Sequence, residues 1–116
     1  MKDKLLELVG NDTGFCGITP GGYYSLRTGS GRYQIIRVIV IEECGVHFAM
    51  YGEPFEEPPT TIDPVALKQT SFQNMSFRWH ALFTMGPQFL TEEPVDLYEL
   101  SYYHNWKECD GRYWGD

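Results

Sequence analysis

The chain has 116 residues, of which 42% are hydrophobic and 16% aromatic; that is enough for one packed core and too apolar for a disordered segment. Sixteen acidic residues against nine basic ones give a formal net charge of −7, which disfavours binding to nucleic acid or to an anionic membrane face. Neither a membrane-spanning apolar stretch nor a signal-peptide pattern is present in the sequence. We therefore expect a single domain over residues 1–116, located in the cytoplasm.

The first half of the chain predicts one helix and then three strands. Residues 1–10 carry apolar side chains at helical spacing, and a Gly-Asn-Asp sequence follows them. Glycine-rich turns bound a strand at Tyr23–Arg27, and the β-branched segment Arg32–Glu42 predicts a long central strand. The alternating segment Val46–Tyr51 then predicts a returning partner. The short connections indicate that these strands pair consecutively and antiparallel.

The prolines of the middle segment indicate an extended, exposed loop from residue 52 to residue 61. Asp63 before Pro64 is typical of a helix N-cap followed by proline, so a short helix is expected over Pro64–Lys68.

The segment from Met75 to Phe83 fits both helical spacing and strand alternation. We favour a helix there, capped by Ser76 and ended by a Gly-Pro pair.

The last predicted element is a helix over Leu97–Glu108. Asp96 and Glu99 form a variant of the capping box, which satisfies backbone N–H groups at a helix start. Tyr103 and Trp106 share one face of this helix, and we expect them to pack it onto the sheet.

Strands followed by helices, rather than alternating with them, indicate the α+β class. We expect a small bent antiparallel sheet or half-open barrel with short helices, and with the C-terminal helix packed on it. A sheet of so few strands closes only partly, so helices should cover its open face or edge.

The cysteines and histidines do not suggest a catalytic or metal site. The three cysteines are Cys16, Cys44 and Cys109, and they show no CxxC spacing. An enzyme in which Cys16 is the nucleophile remains an alternative, because His47, His80 or His104 could act as its base. We expect no catalytic residue, no metal and no cofactor, since cysteine between small residues is commonly a packing group.

A basic surface for nucleic acid would have to come from Arg27, Arg32 and Arg37, the nearest approach to a basic stripe. No second basic run or stacking platform supports it, so we expect no nucleic-acid partner.

The distribution of acidic residues is more informative. No Lys or Arg occurs between Arg37 and Lys68, and the acidic residues of this stretch are Glu42, Glu43, Glu53, Glu56, Glu57 and Asp63. The aromatic residues Tyr51 and Phe55 are interleaved with them. Exposed aromatic groups among carboxylates suit a basic protein surface, by apolar anchoring and by electrostatic steering.

We therefore predict a partner-binding surface for a basic protein. Its residues are Tyr51, Glu53, Phe55, Glu56 and Glu57. The alternative that the sequence leaves open is a solvated loop with Phe55 packed into the core.

Three stretches together resemble small bacterial β-barrel-like proteins, some of which are immunity proteins encoded beside polymorphic toxins. The stretches are Gly22–Arg27 with Gly31–Tyr33, Val46–Phe48 leading to Tyr51–Gly52 and Phe55–Asp63, and Glu93–Val95 entering the last helix with Trp106. The resemblance implies a non-catalytic bacterial protein that neutralises a toxin by covering its active site. A small-barrel adaptor or regulatory protein is the alternative.

Overall fold

The computed structural model describes residues 16–108, and this part of the chain contains five strands and three short helices. The strands are β1 (Gly22–Arg27), β2 (Tyr33–Ile41), β3 (Gly45–Phe55), β4 (Phe72–Arg78) and β5 (Gln88–Glu92). The helices are α1 (Pro64–Leu67), α2 (Trp79–Thr84) and α3 (Leu97–Glu108). The helix predicted at residues 1–10, and Cys109, lie outside the described residues.

The five strands form one open antiparallel sheet in the order β4-β3-β2-β1-β5. The predicted pairing of β1 with β2 and of β2 with β3 is confirmed. β2 lies at the centre of the sheet, as its Ile- and Val-rich sequence indicates, because a strand covered on both faces favours β-branched side chains. The expected α+β class, with a bent and incompletely closed sheet, is confirmed.

Irregularities in the strand pairing bend the sheet. In β2, Ile39 is an extra residue between the pairs formed by Val38 and Val40. In β3, the pairing skips from Tyr51 to Phe55, and Gly52 there adopts a φ of +69°. Such bulges increase local twist and curvature, and they also tolerate the proline that occurs at this point of β3.

One face of the sheet carries the main apolar cluster. Its buried members are Ile18, Tyr24, Leu26, Ile36, Val38, Ile41, Val46, Phe48 and Leu82. Most come from the strands at alternate positions, and Leu82 comes from α2, which connects the two edge strands β4 and β5. This helix therefore covers the apolar side of the bent sheet, as expected for a sheet that does not close.

The opposite face is covered by α3, whose predicted bounds are confirmed. The capping box is present: Asp96 N–H donates to Glu99 Oε1 over 3.2 Å, and Glu99 N–H donates to Asp96 Oδ1 over 2.8 Å. Tyr103 is buried and Trp106 is half-buried, and both rings pack on His47 of β3. Within the described part of the chain, no helix has the length and apolar character needed to cross a bilayer.

Three regions differ from the predictions. Residues from Phe72 to Arg78 form a strand, and the helix begins only at Trp79, so Ser76 is not a helix cap but a buried strand residue. The edge strand β5 was not predicted, and β3 extends four residues beyond Tyr51 into the expected loop. The short helix α1 is confirmed, with Asp63 Oδ1 accepting from Val65 N–H over 3.1 Å.

Candidate protein interface

The end of β3 projects beyond its neighbour β4. The β3–β4 pairing runs from Gly45 to Tyr51, whereas the pairing of β3 with β2 continues to Phe55, opposite Tyr33. The side-chain amide of Gln34 donates to the carbonyl oxygens of Tyr51 and Gly52, over 3.2 and 2.7 Å. These bonds hold the bulged part of β3 on the sheet, although β4 does not continue beside it after Tyr51.

Four of the five predicted partner-binding residues are exposed on this projecting end. We call Glu53, Phe55, Glu56 and Glu57 the β3-end surface. Phe55 exposes 42% of its area, and a carboxylate residue stands on each side of it along the chain. Glu56 pairs with Arg32 at 3.4 Å, but both side chains are largely exposed, so this ion pair stabilises the fold little. The β3-end surface therefore combines an apolar anchor with excess negative charge.

A broad hollow borders this surface. It has a volume of about 610 Å³, and its lining includes Tyr33, Pro58 and Met85. Tyr33 is paired with Phe55, and Pro58 follows Glu57 directly, so the hollow is continuous with the β3-end surface. Arg27 also lines the hollow and gives it one positive group.

The fifth predicted residue, Tyr51, is not on the surface. Its side chain is 5% exposed, and its ring lies 5.2 Å from that of Phe72, between centroids, on the sheet face that α3 covers. Burial is the largest cause that raises the pKa of Tyr51 to about 12. Its assignment as a partner anchor is therefore corrected: Tyr51 is a packing residue.

The six acidic residues of the sequence stretch do not form one edge. Glu42 and Glu43 lie at the β2–β3 turn, at the opposite end of β3 from Glu53. Glu42 accepts hydrogen bonds from Tyr103 Oη, over 2.7 Å, and from the ammonium group of Lys107, so it fastens the end of α3. Asp63 caps α1. Only the β3-end acids remain as a surface cluster.

The arginine series Arg27, Arg32 and Arg37 also does not form a surface stripe. Arg27 and Arg32 are exposed, but Arg37 is fully buried, because β2 has sheet neighbours on both sides and α3 covers one face. The structure thus removes one of the three cations from any contact with a polyanion.

Arg37 instead connects the elements of the α3-covered face through its hydrogen bonds. This role was not predicted from the sequence. Its Nε and Nη2 donate to the two carboxylate oxygens of Glu99, over 2.9 and 3.0 Å. Its remaining N–H groups donate to the carbonyl oxygens of Gly21, Glu93 and Pro94. All the N–H donors of a guanidinium group are thereby used. The only sequence signal was a lone Arg within an apolar strand.

Arg37 also explains why residue 21 is glycine. Gly21 has a φ of +88°, and a Cβ there would lie 2.3 Å from the carbonyl oxygen of Glu93. That carbonyl accepts from Arg37 Nη1 over 2.8 Å, so the clash would displace the loop that Arg37 fastens.

His47 is buried between β3 and α3. Its Nδ1 lies 2.8 Å from Ser76 Oγ, and its ring is 5.4 Å from Tyr103 and 5.2 Å from Trp106, between centroids. Its Nε2 has no hydrogen-bond partner within residues 16–108. Burial lowers the pKa of His47 to about 4, so the ring is neutral at physiological pH.

The other residues considered for chemistry lie apart on the fold. Cys16 and Cys44 are exposed, before β1 and in the β2–β3 turn, and His80 and His104 are exposed on α2 and α3. Among the described residues, no group of three or more His, Cys, Asp or Glu side chains comes together to hold a metal ion.

Comparisons of the chain with models of protein families, with characterised proteins and with solved structures give no significant match.

Proposed function

We propose that this protein is a non-catalytic binding module that contacts a basic partner protein through the β3-end surface. The observation that carries the proposal is the exposure of Phe55 between carboxylates on a strand end that extends past its neighbour. A partly exposed aromatic ring is a common anchor of protein interfaces, and surrounding charges select and steer the partner.

The strand geometry supports binding because it limits the entropy lost on docking. Phe55 is held by pairing with Tyr33, and Pro54 and Pro58 restrict the backbone on either side of Glu56 and Glu57. The neighbouring hollow, lined by Tyr33 and Pro58, offers room for a side chain of the partner beside the anchor. The surface is thus stiff and concave at one margin.

The biological form of this function that we propose is neutralisation of a toxin in the bacterial cytoplasm. An acidic protein can cover a basic substrate cleft, such as that of a nuclease, and block it without any chemistry of its own. The net charge of −7 would also speed the encounter with a cationic target.

Affinity capture with matched charge variants tests the proposal. The immobilised proteins are the native chain, the double variant Glu56→Lys/Glu57→Lys, and the control variant Glu43→Lys/Glu92→Lys. All four glutamates are exposed, and both variants change the net charge equally, but the control sites lie away from the β3-end surface.

We expect the native chain and the control to retain the same basic protein from a lysate of the native host. The Glu56→Lys/Glu57→Lys variant should retain about tenfold less, since loss of a steering and contact pair commonly costs that much affinity. Equal retention by all three proteins, with the fold intact by circular dichroism, would place the interface elsewhere.

A further inference from the structure

A second cavity lies on the sheet face that α3 covers, between the start of α3 and the strands β2, β3 and β4. It has a volume of about 110 Å³, and four aromatic residues contribute to its lining: Tyr51, Phe72, Tyr98 and Tyr102. Because a water molecule occupies roughly 30 Å³ of liquid, this space suits a group of about four heavy atoms. Its lining includes none of the residues of the β3-end surface.

Three of these rings pack edge to face against one another. Phe72 and Tyr102 lie 5.4 Å apart between centroids with an interplanar angle of 89°, and Tyr98 and Tyr102 lie 5.2 Å apart at 88°. The hydroxyl oxygens of Tyr98 and Tyr102 are 2.7 Å apart and share a hydrogen bond, which fixes these two rings against each other. Tyr51 and Phe72 meet at a lower angle of 38° and form the inner part of the wall.

The charged groups around the cavity leave one carboxylate for a ligand. Glu99 lines the cavity, but its two oxygens accept from Arg37, and the ammonium group of Lys68 donates to Glu93. Asp96 is exposed at the lining, and within residues 16–108 its side chain accepts only the capping N–H of Glu99, at Oδ1. The local charge balance therefore favours a cation.

The exposure of Tyr98 is a further indication. This tyrosine is 68% exposed, and the preceding residue Leu97 is 84% exposed. Neither side chain is therefore needed for the packing of α3 onto the sheet. An aromatic ring held in water beside a carboxylate and three further rings presents a negative π face to an approaching cation.

We propose that this cavity is an aromatic cage for a quaternary ammonium group. The methyl groups of such an ion contact ring faces, and its diffuse charge interacts with the π systems and with Asp96, whereas a hydrated primary ammonium group would lose more solvation on entry. A trimethylammonium head has four heavy atoms, which matches the size of the cavity.

Titration with choline, and separately with its neutral isostere 3,3-dimethylbutan-1-ol, tests the proposal by nuclear magnetic resonance. We expect choline to shift the ring signals of Phe72 and Tyr102 and to bind at least about tenfold more tightly than the isostere, because only the cation gains the π interaction. Equal binding of the two compounds, no binding of choline, or shifts confined to other residues would overturn the proposal.

Two variants and a control connect the binding to the cage. Tyr102→Leu removes one wall, and Asp96→Asn removes the carboxylate while keeping a side chain that caps a helix well. Each should weaken choline binding several-fold, and Asp96→Asn answers the question even if Tyr102→Leu does not fold. Phe89→Leu removes an exposed ring of β5 outside the cavity and should leave the affinity unchanged. An effect of Phe89→Leu as large as that of Asp96→Asn would contradict the assignment.

Discussion

At the scale of single residues, two buried polar side chains on the α3-covered face have opposite charge states: one is charged and the other is neutral. Arg37 keeps its charge, because Glu99 and three carbonyl oxygens accept all its donors. His47 is held neutral because burial, against a hydroxyl group and two aromatic rings, disfavours its charged form. A buried charge that is paired and hydrogen-bonded is tolerated, whereas an unpaired one shifts its pKa and is lost.

The neutral state of His47 should make stability depend on pH. Its pKa is lowered from 6.5 to about 4 in the folded protein, so the unfolded chain takes up this proton first as the pH falls. The contribution of neutral His47 to the free energy of unfolding is complete above pH 6.5. It decreases by roughly 3 kcal/mol in total as the pH falls towards 4.

Urea unfolding of the native chain and of His47→Gln, followed from pH 7 to pH 4, measures this contribution. We expect the variant to be less stable at pH 7 but to lose less stability as the pH falls. His80→Gln, at an exposed site on α2, should behave like the native chain. Parallel pH profiles for the native chain and His47→Gln would show that His47 does not titrate in this range.

At the scale of secondary-structure elements, the docking of α3 depends on the ion pair between Arg37 and Glu99 as well as on aromatic contacts. The pair is buried, since Arg37 has a side-chain exposure of 0% and Glu99 of 10%. Glu99 also closes the capping box at the start of the helix. One carboxylate therefore both begins α3 and binds it to the central strand.

Glu99→Gln isolates the charge, because glutamine retains the size and can still accept the capping hydrogen bond. We expect it to lower the free energy of unfolding by about 3–5 kcal/mol, since removing one partner leaves the Arg37 charge buried and unpaired. Glu108→Gln, at the exposed end of the same helix, is the control. A loss from Glu99→Gln of less than about 1 kcal/mol, the range of surface ion pairs, would refute this role.

The elements that the sequence predicts correctly are those with local signals. β2 has its β-branched residues, α1 has the Asp-Pro start, and α3 has its capping box. β4 fits two periodicities, and only its pairing with β3, from Phe72 to Arg78, selects the strand. β5 pairs with β1, which lies more than sixty residues earlier in the chain, so no local pattern reports it.

The residues of the candidate surface fall into the same two classes: those predicted from local sequence and those determined by contacts with distant parts of the chain. Exposure of Glu53, Phe55 and Glu56 follows from the local proline and charge pattern, which sequence alone provides. The burial of Tyr51 and the use of Glu42 by α3 depend on where the last helix docks. These are contacts between distant parts of the chain, which composition and spacing do not contain.

At the scale of the whole molecule, some acidic side chains form ion pairs that connect elements of the fold, and others face solvent. Glu42, Glu93 and Glu99 pair with Lys107, Lys68 and Arg37, respectively, and so contribute little to the outer field. At the β3 end, by contrast, three glutamates are opposed by one ion pair with Arg32. The excess negative charge that faces solvent there is what we propose guides a basic partner.

The most direct test of this account is the association rate of the captured partner, measured by stopped flow at increasing ionic strength. For the folded Glu56→Lys/Glu57→Lys variant we expect association about tenfold or more slower at low salt, and a flatter dependence on salt, because steering charges act mainly on the encounter. The Glu43→Lys/Glu92→Lys control should keep most of the native rate and slope. An unchanged rate and slope in the Glu56→Lys/Glu57→Lys variant would contradict the claim that the β3-end surface meets the partner.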